Sequence, residues 1–168
     1  MKSLTLFAAA AVALAPAAAF AVPLPAATYV MKAGASDMFE IESSKLVQDS
    51  KDPQIQQFAQ QMITDHTKST GDVMTAAKAD GLNPPPPALT PKQKGMIDSL
   101  KHTTGAKRDL LYTKQQVLAH KETLAFQQEY ARSGDKPNLK TTAGQIVPVV
   151  QNHLSMVEGM TPAAAKNQ

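Results

Sequence analysis

The chain has 168 residues, 43% of them hydrophobic, and 17 Lys and Arg against 14 Asp and Glu give a formal charge of +3. That is the size of one domain, and the absence of cysteine excludes disulfides, thiolate metal sites and cysteine nucleophiles together. The charges are interspersed, whereas phosphate binding calls for a clustered basic face, so the balance argues against nucleic acid as a partner.

Lys2, an alanine-rich apolar run over residues 4–14, Pro16 and the small-residue pattern Ala19-Phe20-Ala21 form the layout of a secretory signal peptide, too short to be a membrane span. Cleavage after Ala21 leaves 168 − 21 = 147 residues, with charge +2 once Lys2 is lost. No later apolar run approaches spanning length, so the mature chain is expected to be periplasmic or secreted, in contact with the envelope only peripherally or through a partner protein.

Residues 22–27, with Pro23 and Pro25, read as an extended leader. From residue 28 to about Asp49 the inward positions Val30, Ala33, Met38, Ile41, Ser44 and Leu46 or Val47 recur at steps of three or four, which predicts a first helix. Asp52-Pro53 is an N-cap followed by proline at the first helical position, and the second helix runs from there to about Asp80, where Gly81 is a natural stop. Pro84 to Pro87 are consecutive prolines and predict a stiff extended crossover. Thr90-Pro91 repeats the cap-plus-proline start for a short helix to about Lys101. The third long helix spans residues 106–132 with Leu110, Thr113, Val117, His120, Leu124 and Ala131 on one face; its preamble, Lys101, Lys107 and Arg108, reads as a solvated face. Pro137 opens a fourth helix to residue 160, with Leu139, Ala143, Ile146, Val150, His153, Val157 and Met160 inward and Pro148 as an expected kink. Residues 161–168 read as a flexible tail. Four long amphipathic helices without a strand pattern predict an all-α, up-down four-helix bundle over residues 28–160, with a short extra helix before the third long one.

His66 falls in the centre of the apolar face formed by Ile55, Phe58, Ala59, Met62, Val73, Ala76 and Ala77, and Glu40, His120 and His153 are placed the same way on the other helices. Measured from the first turn, Glu40 lies ten residues before Ser50 and His66 thirteen after Pro53. His66 is fourteen residues before Asp80 and His120 fourteen after Ala106; His120 is thirteen before Ser133 and His153 sixteen after Pro137. At about 1.5 Å per residue these offsets agree within one turn. Four inward polar residues, one per helix, are therefore expected at one level; His102 lies outside it.

Three imidazoles and a carboxylate suit one zinc, copper or iron ion, and bundle cores are a common place for such a site. Asp65 is a candidate to orient a ligand from behind, and Tyr112, two turns before His120, to hydrogen-bond into the layer. The competing reading needs no metal: buried histidines can satisfy one another and Glu40 with a trapped water, in a cell-envelope interaction module whose histidine layer serves packing. Met62 and Met156 lie near His66 and His153, where thioether sulfur would favour cuprous copper, but methionine also serves as flexible core filler. No nucleophile motif or glycine-rich phosphate loop appears, so no catalytic group is assigned.

The pair Glu40-Ile41, Phe58-Ala59 with Met62 and Asp65-His66, Tyr112 with His120, and Pro148 with His153 resemble the exported bacterial ferritin-like family of unknown function, domain-of-unknown-function family 4142, often labelled predicted outer membrane protein. The resemblance implies a ferritin-like four-helix fold and an envelope or exterior location, and no established activity. Di-iron members of the wider ferritin-like class place glutamate three residues before histidine; here those positions are Ile63 and Val150, and Glu122 is two residues past His120 on another face. A di-iron centre is therefore not expected.

Overall fold

The computed structural model describes residues 24–160, so the expected signal peptide (residues 1–21), the start of the leader and the tail (161–168) lie outside the described residues. Five helices follow in order: α1 (Ala26–Lys45), α2 (Pro53–Ala79), α3 (Pro91–Lys101), α4 (Gly105–Ser133) and α5 (Pro137–Gly159), with no strand among the described residues. The all-α bundle with a short helix before its third long one is the architecture expected from sequence.

Local chemistry sets the helix ends. The Asp52 carboxylate accepts the Gln54 N–H at 3.0 Å, and Pro53 takes the first turn, where its missing donor costs nothing. Thr90 and Gln93 form a reciprocal capping box, backbone to side chain at 3.2 and 2.9 Å. Gly81, at φ +81°, lets its N–H reach the Lys78 carbonyl and the Leu82 N–H reach that of Ala77, closing α2. The first helix differs from expectation at both ends: it starts at Ala26, inside the expected leader, and gives way at Lys45 to a turn over residues 46–49. Helix α5 continues through Pro148. Pro148 and Gly144 are both exposed, so the Gly144 carbonyl that loses its partner can turn to water.

Hydrogen bonds fix the directions of the helices. Tyr29–Gln127, Ser36–Thr123 and Ser44–Tyr112 run α1 against α4, while Asp65–His153 and Asp80–Leu139 run α2 against α5. Helix α4 is therefore parallel to α2, because the proline segment and α3 carry the chain back along the bundle before α4 begins. The Pro87 ring passes so close to Gly34 that a Cβ there would stand 3.2 Å from it, and the Gln115 amide donates to the Met96 carbonyl at 3.1 Å, fastening α3 to α4. One long crossover is the connectivity of ferritin-like bundles. Helix α4 thus runs opposite to the direction expected when His66 and His120 were matched by depth, yet the two still share a level, because His120, 120 − 105 = 15 residues after Gly105 and 133 − 120 = 13 before Ser133, is near mid-helix in either direction.

The core is in two parts. One apolar cluster joins Tyr29, Val30, Ala77, Tyr130, Leu139 and Val150; the other joins Val47, Ile55, Phe58, Met62, Tyr112 and Val157. On α2, α4 and α5 the buried residues between the clusters, among them His66, His120 and His153, are polar, and on α1 the buried Asp37 and Glu40 flank the buried Phe39. The seam between α1 and α4 is polar over most of its length, so Met38, Ile41, Leu110 and Leu124, expected inside, are only half-buried. Asp37, Ser44, Asp109, Gln116 and Gln127 take the buried positions on these two helices.

Burial, not hydrophobicity, should therefore rank substitutions. Phe58→Ala empties a fully buried site and is expected to lower the unfolding free energy by about 3–5 kcal/mol. Leu118→Ala, at a residue 46% exposed, should cost less than about 0.5 kcal/mol, both read from urea titrations followed by circular dichroism.

Candidate metal centre

Three helices each deliver one imidazole to mid-height. The ring centroids of His66, His120 and His153 are separated by 5.7, 5.5 and 5.6 Å, nearly an equilateral triangle. One ring nitrogen from each lies within 4.8 Å of those of the other two. Three buried histidines at this spacing could hold a metal ion.

Each ring is anchored outward by its other nitrogen. His66 Nδ1 meets Asp37 Oδ1 at 2.8 Å, and the second oxygen of Asp37 accepts from the Thr70 hydroxyl at 3.1 Å. His153 Nε2 meets Asp65 Oδ2 at 2.9 Å, where the Gln61 amide also donates at 3.3 Å. His120 Nδ1 lies 2.9 Å from the Gln116 carbonyl, one turn back on its own helix. All three outer partners are acceptors, so the outer nitrogens carry N–H, and in the neutral rings the inner nitrogens are bare lone pairs. Those inner atoms, His66 Nε2, His120 Nε2 and His153 Nδ1, are buried without a partner, as are both oxygens of Glu40. Metal-bound histidines are commonly anchored in this way, to a carboxylate or a backbone carbonyl.

Residues 10–160 match the domain of unknown function DUF4142. The chain belongs to the DUF4142 family. No curated protein matches it. A crystal structure of a DUF305 fragment from Deinococcus radiodurans is similar at TM-score 0.69 and 12% identity, over 80% of this chain and 93% of that one. At that identity the likeness shows the fold alone, so what this DUF4142 chain does has to be argued from its own residues.

Of the residues expected in the layer, the three histidines come together. Glu40 is adjacent but is not one of the mutually close group: its Oε1 is 3.7 Å from His120 Nδ1, the nitrogen that already faces Gln116. Asp65 holds His153, across the bundle, and not its sequence neighbour His66. The Tyr112 hydroxyl is taken by Ser44 at 2.8 Å and makes no hydrogen bond to an imidazole. Glu122 is on the surface, paired with Lys92, and Met62 is packed in the apolar cluster on one side of the layer. Asp37 was missed. It lies one turn before Glu40 on the same face of α1, and that spacing was the available signal.

The electrostatics follow from burial. Desolvation pushes the Glu40 carboxyl up to about 7, against the pull of the His66 ring. Burial lowers His66, but the hydrogen bond and charge of Asp37, helped by Glu40 and Asp65, outweigh it and leave the ring raised. His120 is taken down to about 3 by burial and the two neighbouring imidazoles. His153 is also lowered, by burial first and His66 second, with Asp65 opposing.

These shifts give the metal-free protein a particular pH dependence. The Glu40 carboxyl titrates at 4.5 ordinarily and about 7 folded, so the folded state holds the extra proton in that window and Glu40's contribution to stability falls as pH rises through it. His120 titrates at 6.5 ordinarily and about 3 folded, so the unfolded state holds the extra proton there and stability is lost as pH falls. The two slopes oppose each other between 4.5 and 6.5, and below 4.5 only the loss remains. Glu40→Gln should therefore gain on the wild type between pH 4 and pH 8, by roughly 1–3 kcal/mol. Denaturant titrations in chelator check this; a wild-type-minus-variant difference that is flat with pH would contradict it.

Proposed function

We propose that this protein holds one transition metal ion, zinc, copper or iron, through His66, His120 and His153, with Glu40 as the anionic fourth donor. The supporting observation is the set of five buried acceptor atoms without a donor, three imidazole nitrogens and two carboxylate oxygens. Leaving a buried polar group unpaired costs about 1–3 kcal/mol, so five such groups would consume roughly 5–15 kcal/mol, comparable with the whole net stability of a domain. One trapped water and a proton on Glu40, whose carboxyl titrates at about 7, bring three donors to these atoms and still leave imidazole lone pairs unmet. A single cation is attracted by all of them at once. This weighs against the alternative, an envelope interaction module in which the histidine layer only packs.

The donor set favours a borderline divalent ion, since imidazole is a ligand for zinc, copper and iron alike, while a site selecting cuprous copper would draw on thioether sulfur. An ion bound here would supply charge neutralisation and Lewis acidity. The residues' own part is to present lone pairs: Asp37, Asp65 and the Gln116 carbonyl hold the rings with their N–H groups turned away from one another's inner nitrogens. The signal-like N-terminal pattern supports a place in the periplasm or outside the cell, where the proposed task is to hold or buffer a metal under stress. The role proposed is binding, with no catalytic residue assigned.

Metal analysis of the purified mature protein tests this. About one equivalent of ion should be retained, lost in His66→Ala and in His120→Ala, and affinity should fall as pH drops below 7 because Glu40 and His66 must give up protons to bind. Saturating metal at a hundred times Kd should stabilise the fold by about 2.7 kcal/mol. A metal-free protein whose unfolding is indifferent to added zinc, copper and iron would move the assignment to the interaction module.

A further inference from the structure

The two sides of the histidine layer are not alike. Toward α1 and α4 the wall is closed by hydrogen-bonded pairs, Ser36–Thr123 at 2.6 Å, Gln116–Ser43 at 3.1 Å and Ser44–Tyr112 at 2.8 Å. Between α2 and α5 there is instead a cleft of about 150 Å³ whose inner wall includes His66 and His153. Larger hollows lie elsewhere, one of about 530 Å³ between α1, α3 and α4 and one of about 400 Å³ beside the proline crossover, and neither is lined by any of the three imidazoles or by Glu40.

The chemistry of the small cleft suits a cation moving inward. Asp72 and its ion-pair partner Lys68 both line it, so their charges offset each other and the net negative charge comes from Asp65. Asp65 spans its depth, with a side chain 32% exposed and an oxygen that accepts from the buried His153 ring. Between them Ser69 lines the same cleft, and its Oγ is buried without a partner. An ion leaving water must exchange its hydration for protein ligands one at a time, and oxygen atoms along the path lower that barrier. We infer that the α2–α5 cleft is the entrance to the histidine site, with Asp65, Ser69 and Asp72 as its transient oxygen donors for a divalent cation. This rests on the metal-binding reading above.

An entrance sets rates and not equilibria, because a barrier raised on the way in is raised equally on the way out. Val149 is at this cleft and 42% exposed; Leu118, 46% exposed, is at the large hollow. Stopped-flow uptake of cobalt(II) by the full mature protein separates the two. Val149→Trp should slow loading by roughly tenfold or more, which is about 1.4 kcal/mol on the barrier, and leave the final stoichiometry and Kd unchanged. Leu118→Trp should load at the wild-type rate. Gln145→Trp, at a second residue lining the cleft, serves if the valine variant does not fold. Wild-type loading rates in the cleft variants, or equal slowing by Leu118→Trp, would overturn the entrance while the metal site stood. A wild type that takes up no cobalt, zinc, copper or iron would remove the site, and the entrance with it.

Discussion

Three imidazole nitrogens and the two oxygens of Glu40, buried together at mid-height, are the constraint around which this bundle is arranged. They divide the apolar core into two clusters, one around Tyr29 and Tyr130 and the other around Phe58 and Tyr112. A slip of one helix by a single turn, about 5.4 Å, would carry an imidazole into one of those clusters and part it from its anchor. The outward bonds of His66 to Asp37 and of His153 to Asp65 cross between helices, so the polar layer also keeps α1 in register with α2, and α2 with α5. The buried side-chain pairs along the α1–α4 seam do the same for α1 and α4. Close packing of the apolar clusters resists a slip as well, and the directional bonds add to it because a shift of register leaves buried polar groups unpaired.

Much of this was legible in the sequence, and for definable reasons. Asp52-Pro53, Thr90-Pro91 and Gly81 punctuate the helices by local chemistry that needs no tertiary context, and they lie where the helices start and stop. His66 stood out because it interrupts an otherwise apolar face on α2. The same logic worked poorly on α1 and α4. Their inward faces carry Ser36, Asp37, Ser43, Gln116, Thr123 and Gln127 beside the expected Ser44, and hydrophobic periodicity pointed to Met38, Ile41, Leu110 and Leu124 as well. A buried polar seam is invisible to a method that equates inside with apolar. The direction of α4 was hidden for another reason. Proline-rich residues before a short helix read equally well as a surface spacer or as a return path, and only the pairing of Gln115 with Met96 and the approach of Pro87 to Gly34 show which.

The layer is also informative in what it offers a cation by way of charge. Asp37 and Asp65 spend their carboxylates on the outer N–H groups of His66 and His153, so each holds a ring in place and faces away from the inner nitrogens. Glu40 is then the one carboxylate of the layer with both oxygens unpaired. Two divalent cations side by side in a region of low polarity repel each other strongly, and ferritin-like di-metal sites offset this with several inward glutamates. Here the positions one turn before His66 and His153 are Ile63 and Val150, and Val150 packs into an apolar cluster. One carboxylate and three neutral imidazoles can compensate a single ion, while a second would remain an uncompensated buried charge. The number of free carboxylates thus limits the charge that such a layer can compensate.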